Sequence, residues 1–469
     1  MISWRRKIAR TFRSRQPEKH QRFFGFVTRA KGLERTFKFT IAITTVCLIA
    51  AFLTLLSPGR YLTSWLSSKA RQLAAQAIGL PPDRAEIDAD WQRKRDFDIE
   101  QSRGTLAGTF AEYPPAMQRL LRYAGLDPEH ALVRWGNFDR TVLLPSTVFE
   151  AENSGRSYQF RRNVRSIWVR NFPVKGPVKA YFQVPESPEI AELITETGAQ
   201  IVSGSTQTTN SWGLRGPEPD LTAPWRGIVL GDSYMQGLFI GDDQTPTECL
   251  KRELKTRLGS PVEILNTGHL GYSPEQYYYT LVQYGKRFAP RFVVVSFFAN
   301  DFGDFQEALE GTGDWEEAQY WMSQISQYCF SKAAECIIVP APWVKQIEGP
   351  QRAGNYPGKM ANLLEVAGSS YLDPITAFAN AQLELANKAR RQSLPSPASP
   401  LFNGRIGDGH FSARGAEIWA KAIGRRIALL LERRWPAQET TVPLHNPGSD
   451  KRAVDSAPFD SALITRRSP

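Results

Sequence analysis

The 469-residue chain is long enough for one large domain with appendages or for two domains, and its ordinary composition excludes a wholly disordered or collagen-like protein. Its formal net charge of +11 is concentrated in residues 1–38, where twelve Lys or Arg face only Glu18 and Glu34. The remainder is close to neutral, which argues against a nucleic-acid-binding main domain, because such a domain carries its basic face on the fold itself.

Directly after the basic block (1–38) comes "FTIAITTVCLIAAFLTLL", residues 39–56, with no charged side chain. As a helix rising about 1.5 Å per residue it spans roughly 27 Å, close to the hydrocarbon thickness of a bilayer. A buried core helix seldom runs this long without a polar face. A cleavable signal peptide fits less well, because its basic region is normally short and "SPGRYL" offers no small-residue cleavage site. The expectation is therefore a single-pass transmembrane helix at 39–56. The positive-inside rule then places residues 1–38 in the cytoplasm and the rest outside it, in the periplasm or at the cell exterior.

Residues 57–138 read as a helical stalk or packing region, with "SWLSSKARQLAAQAIGL" and "PPAMQRLLRYAGL" as its helices. From 139 to 204 the pattern becomes β-rich, as in "RTVLLPSTVFEAE", "RSIWVRNF" and "KAYFQV", and a small sheet subdomain without evident chemistry is expected. Residues 205–435 then alternate strands and helices. "GIVLGDS", "VEILNTG", "RFVVVSFFAND", "CIIVPAP" and a short "SSYL" are the strand candidates.

The helices between them carry end signals. Thr245 and Glu248 have capping-box spacing, Pro246 takes the first helical position and Gly259 follows the last turn. Ser273, Pro274 and Gln276 repeat that start. Helices are also expected in "DWEEAQYWMSQISQYC", "DPITAFANAQLELANKARRQ" and "SARGAEIWAKAIGRRIALLLERR". Short, wholly apolar strands alternating with amphipathic helices predict an α/β fold built on a parallel sheet covered on both faces. Residues 436–469 read as a disordered tail.

Of the four cysteines, Cys47 falls in the apolar span. Cys329 and Cys336 are close enough in sequence to close a small loop in an oxidising compartment, and buried free thiols, Cys249 included, are the equal alternative. No metal-ligand spacing is present.

In open α/β sheets functional residues collect at the carboxyl ends of strands. That rule selects Gly231-Asp232-Ser233, with Gly237 four residues after the serine; "NTGHLG" from Asn266 to Gly271; Asn300-Asp301; and "DGHFSARG" before the last helix. A serine hydroxyl becomes a nucleophile when a base takes its proton, and the base must be held in one tautomer. His410 is the best-placed base, and Asp408 two residues earlier has the reach to orient it. The backbone N–H groups of Ser233 and Gly271 and the side-chain amide of Asn300 are the candidate oxyanion donors, with Asp232, Asn266 and Asp301 in support. Each residue also has a plainer reading: Ser233 as a helix cap, Asn266 and Asn300 as turn formers, Asp301 as a cap, His269 as a loop residue and His410 as a structural histidine.

At these residues the chain resembles the SGNH (GDSL) hydrolase family. Gly231-Asp232-Ser233 with Gly237 matches its first block, G-D-S-x-x-x-G, and Asn266 to Gly271 is similar to the second, whose glycine donates to the oxyanion. Ala299-Asn300-Asp301 is similar to the third block, with Phe298 where the family has glycine. Asp408 and His410 resemble the last block in the form Asp-x-His in place of the usual Asp-x-x-His. The resemblance covers about residues 205–435, and "NSWGLRGPEPD", residues 210–220, looks like a lead-in found in some members. It implies a flavodoxin-like three-layer α/β/α domain and ester chemistry without metal or cofactor.

The expected activity is that of a membrane-anchored serine esterase removing acyl groups, acetyl being the commonest, from glycans or lipids outside the cytoplasm. An O-acyltransferase acting on an envelope polysaccharide shares the same acyl-enzyme and differs only in the acceptor. A non-catalytic envelope assembly or binding protein on the same fold is the third reading, against which both Ser233 and His410 are retained. Tyr234, Tyr272 and Tyr277 near the site are candidates for stacking on a sugar or for core packing. Neither the substrate nor the oligomeric state is set by the sequence.

Overall fold

The computed structural model of the chain describes residues 84–136, 140–152, 155–170, 181–302, 315–348, 369–392, 400–403 and 409–436. The apolar span expected at 39–56, the helix expected at 64–80 and the tail at 437–469 lie outside the described residues. Among the described residues no helix is long and apolar enough to cross a membrane. The chain divides into two units, Met1–Phe97 and Asp98–Pro469. Of the first, only the start of helix α1 (Arg84–Phe110) is described.

The second unit is built on five parallel strands, β9 (Trp225–Leu230), β10 (Val262–Asn266), β11 (Phe292–Phe297), β12 (Glu335–Pro340) and β13 (Ser369–Tyr371). They lie in the order β10-β9-β11-β12-β13 and pair in parallel throughout. Numbered along the chain this order is 2-1-3-4-5, the flavodoxin-like arrangement, whose crevice opens where the order reverses, between the carboxyl ends of β9 and β11. β10 and β11 are buried along their whole length, as expected of strands covered on both faces.

The connecting helices begin where their caps predict. In helix α5 (Pro246–Leu258) Thr245 Oγ1 accepts from Glu248 N at 3.2 Å, and Gly259 closes the helix in the left-handed region at φ 57°. Helix α6 (Pro274–Phe288) starts with Gln276 Oε1 accepting from Ser273 N at 3.0 Å. Helices α7 (Trp315–Ser331), α8 (Val344–Glu348) and α9 (Ile375–Arg391) follow, and α10 (Ala413–Arg434) is capped by Ser412 Oγ, which accepts from Gly415 N. Helix α10 packs on α5 and α9, while α7 packs on α6, so the helices form two groups around the sheet.

Residues upstream of the sheet depart from the sequence reading. Helix α2 (Pro115–Ala124), capped by Gly125 at φ 70°, forms as expected, but residues 132–136 of the helical 57–138 region are a strand, β1 (Leu132–Gly136). It pairs with β2 (Arg140–Leu144). The β-rich 139–204 segment is not one small sheet. β3 (Phe149–Ala151) pairs only with β4 (Tyr158–Phe160), and β5 (Arg165–Arg170) lies between β6 (Tyr181–Pro185) and β7 (Gln200–Ile201). β5 also pairs with β8 (Gln207–Thr208), so this last sheet runs past residue 204.

Nor does the segment have a core to itself. Val142, Leu144, Phe149, Tyr158 and Phe160 are buried in the same core as β9 to β12. Ile167, Val169, Phe182 and Val184 form a second core with α2 and with helix α3 (Pro188–Thr197). Strands this short cannot bury enough apolar area among themselves, so each hairpin takes cover from a larger neighbour.

Candidate active site

The site begins at the end of β9. Gly231 follows the strand, Asp232 caps the single-turn helix α4 (Ser233–Gln236), and Gly237 ends it in the left-handed conformation at φ 75°. Asp232 Oδ1 accepts from Tyr234 N at 2.9 Å, and Gly237 N–H donates to the Ser233 and Tyr234 carbonyls. The helix cap is thus the aspartate, and the serine stands at the first helical position with its hydroxyl turned elsewhere. The glycine four residues on is the helix stop.

Ser233 Oγ lies 2.8 Å from His410 Nε2 and 3.3 Å from Asp232 Oδ2. His410, 177 residues away in sequence, arrives from the loop before α10. Its ring is packed at 4.7 Å on Tyr234 and edge-on at 6.4 Å to Phe239. Tyr234 also donates its hydroxyl proton to Gly409 O at 3.1 Å, which ties the Ser233 turn to the histidine loop. Asp408 lies outside the described residues.

Asp232 is buried, and desolvation pushes its carboxyl up to about 6 against the hydrogen bonds from Tyr234 N, Ser233 and the Asn300 side chain, which favour the charged form. Asn300 follows β11 across the crevice, and its bond to Asp232 uses one amide N–H. That contact fixes which way the amide points, because a carboxylate only accepts. Asp301 is fully buried and does structural work: its carboxylate accepts from Phe298 N at 2.9 Å and from Tyr277 Oη at 3.0 Å.

The loop from Asn266 to Gly271 lies along the turn that carries Ser233. His269 N donates to Gly231 O, and Leu270 N donates to Gln236 Oε1 at 2.6 Å. Asn266 Oδ1 shapes the loop by accepting from Gly268 N at 3.0 Å. Gly268 is required by close approach, since a Cβ there would stand 2.2 Å from Gln236 N and 2.4 Å from the Met235 carbonyl carbon. Gly271 adopts φ 80°, which an L side chain rarely does.

The remaining candidates divide cleanly. His269 is no second base: it is fully buried, stacked 4.4 Å from Tyr272 and tilted 4.4 Å from Phe160, and burial lowers its imidazole to about 3, so it is neutral at physiological pH. Tyr234, Tyr272 and Tyr277 are buried core residues and offer no sugar-stacking face. Cys249, Cys329 and Cys336 are buried free thiols, Cys329 and Cys336 being hydrogen-bonded neighbours. Among the described residues the one metal-capable group is Asp127, Glu129 and His130, in the turn between α2 and β1, where the His130 Nδ1 and Asp127 Oδ1 atoms already lie 2.8 Å apart.

No family model and no curated protein matches the chain. Solved structures do. The chain is similar to a lipase/acylhydrolase from Enterococcus faecalis, at 19% identity over 44% of this chain and 96% of that one, with a TM-score of 0.32. It is also similar to an acetylxylan esterase from Geobacillus stearothermophilus, at 15% identity over 44% and 95%, with a TM-score of 0.32. A G-D-S-L family protein from Desulfitobacterium hafniense matches at 15% identity over 43% and 98%, with a TM-score of 0.31.

Sequence reasoning missed Gln236, Phe239 and Arg215. Gln236 is fully buried and bridges the two loops through Leu270 N and, from its Nε2, Gln207 Oε1. Phe239 packs against His410 from a left-handed backbone conformation at φ 67°. The one local sign for any of these was the lead-in "NSWGLRG", which contains Arg215.

Proposed function

We propose that the protein is a serine hydrolase of the SGNH type that cleaves acyl esters of glycans or lipids. The observation that carries this reading is the buried 2.8 Å contact between Ser233 Oγ and His410 Nε2, made by residues 177 positions apart in the sequence. A capping serine has no need of an imidazole, whereas an attacking serine does.

In the proposed reaction the neutral His410 takes the Ser233 proton at Nε2 while Oγ attacks the ester carbonyl. The oxyanion is stabilised by the N–H groups of Ser233 and Gly271 and by the second amide N–H of Asn300. His410 then returns the proton to the leaving alcohol, and water releases the acyl group by the same steps. Asp408 orients the imidazole. Asp232, Asn266 and Asp301 support the loops through the hydrogen bonds already described, and the scheme uses no metal or cofactor. In this reading residues 39–56 and the basic 1–38 segment anchor the enzyme, with the hydrolase domain outside the cytoplasm.

The test is labelling with a fluorophosphonate probe, with Ser233→Ala and His410→Ala variants alongside. Labelling of the wild type alone is expected, and equal labelling of Ser233→Ala would sink the assignment. Adding candidate sugars during turnover of an activated acetyl ester then distinguishes water from a sugar hydroxyl as acceptor, which separates the esterase from an O-acyltransferase.

A further inference from the structure

The segment "NSWGLRGPEPD" carries no group that reaches Ser233 or His410, yet it is bonded to both loops of the site. Asn210 folds it: Oδ1 accepts from Trp212 N at 2.9 Å and Leu214 N at 3.1 Å, and Nδ2 donates to Pro217 O at 2.9 Å. The turn delivers Arg215, whose backbone bridges Thr209 on one side and Asn266, the start of the second site loop, on the other.

The Arg215 guanidinium is buried and meets four acceptors. Nε donates to Asp242 Oδ1 at 2.8 Å, Nη1 to the carbonyls of Gln236 and Gly237, and Nη2 to the Ile240 carbonyl at 2.6 Å. Those carbonyls belong to the chain that leaves the nucleophile helix, where the left-handed turns at Gly237 and Phe239 rule out a helical partner for them. A planar fork of fixed N–H groups suits such a cluster, and a flexible ammonium does not.

Phe239 sits inside this clamped turn. A bulky residue at positive φ is strained and persists only where its surroundings hold it. Its ring is gripped by Trp168 at 4.8 Å and Tyr181 at 5.1 Å, both from the β5–β6 sheet, and abuts His410 on another side.

We propose that Arg215 is a positioning residue: its guanidinium holds the 236–240 turn so that Phe239 fixes the His410 imidazole against Ser233. The proposal rests on the hydrolase reading above for its kinetic consequence, but not for its structural one. It assigns a role to the lead-in segment, and it makes the β5–β6 sheet one wall of the site.

The test uses the full chain with Arg215→Lys and Phe239→Leu. One readout is hydrogen–deuterium exchange at the His410 ring C–H against pH, which reports the imidazole's surroundings whether or not the protein is an enzyme. The other is the rate of fluorophosphonate labelling, with kcat and KM on an activated acetyl ester. Both variants are expected to shift the His410 exchange profile. Both are also expected to slow labelling by about 10²-fold, the cost of misplacing a reacting group by about 1 Å, with the loss in kcat and not in KM.

Folded variants with wild-type exchange at His410 overturn the clamp. If Arg215→Lys does not fold, Phe239→Leu decides by the same criterion. A wild type that is never labelled removes the hydrolase reading instead, and the exchange data still judge the positioning role.

Discussion

Replacing Gly268 by alanine tests how the two site loops are held together. The new Cβ would stand 2.2 Å from Gln236 N, and ordinary contact begins at 3.4 Å, so one backbone must retreat by roughly 1.2 Å. Both atoms that it meets, Gln236 N and the Met235 carbonyl carbon, belong to the single-turn helix that carries Ser233. Gln236 N is bonded to Asp232 O at 2.9 Å, so the turn moves as a unit and takes Ser233 with it. A displacement of that size away from His410 would stretch the 2.8 Å Ser233–His410 contact beyond hydrogen-bonding distance.

Overpacking of this kind costs about 1–3 kcal/mol, and each kcal/mol lowers the melting temperature of a domain this size by about 2–4 °C. On the proposed reading of Ser233 as nucleophile, misplacing it by about 1 Å costs about 10²-fold in rate. The expected result is a folded variant that melts several degrees lower and labels about 10²-fold more slowly with the fluorophosphonate. Gly268→Ala with wild-type melting and wild-type labelling would refute the close packing of the two loops.

Two further predictions concern pH. The folded state keeps His269 at about 3, below its ordinary 6.5, so the unfolded chain binds the extra proton and the stability that His269 contributes is lost as pH falls from 6.5 towards 3. The loss approaches about 1.4 kcal/mol per pH unit in that window, and His269→Gln, which keeps a donor for the Thr267 carbonyl, should flatten the acid limb of a melting-temperature profile; an unchanged limb contradicts the burial argument. Asp232 has the opposite sign, because its folded pKa of about 6 exceeds its ordinary 3.8, so its contribution is present below 3.8 and is lost as pH rises through about 6. Asp232→Asn, a mimic of the protonated carboxyl, should therefore gain on the wild type from acid to neutral pH by up to about 3 kcal/mol in denaturant titrations, and a gap independent of pH would show that the carboxyl is not desolvated.

The alternation of strands and helices in residues 225–434, the caps at Thr245 and Ser273, and the candidates Ser233, Asn300 and His410 that the fold brings together were legible in the sequence. Apolar period, cap chemistry and turn residues act over a few neighbouring positions, so they are written locally. The tertiary structure alone decided the order β10-β9-β11-β12-β13, which makes the end of β9 the crevice. It also split the 139–204 strands between two cores, sent Tyr234, Tyr272 and Tyr277 inward, and gave Arg215 its three carbonyls and Asp242. Those outcomes depend on pairings between residues tens to hundreds of positions apart, and no local pattern in "NSWGLRG" or "RSIWVRNF" names the partner that each will meet.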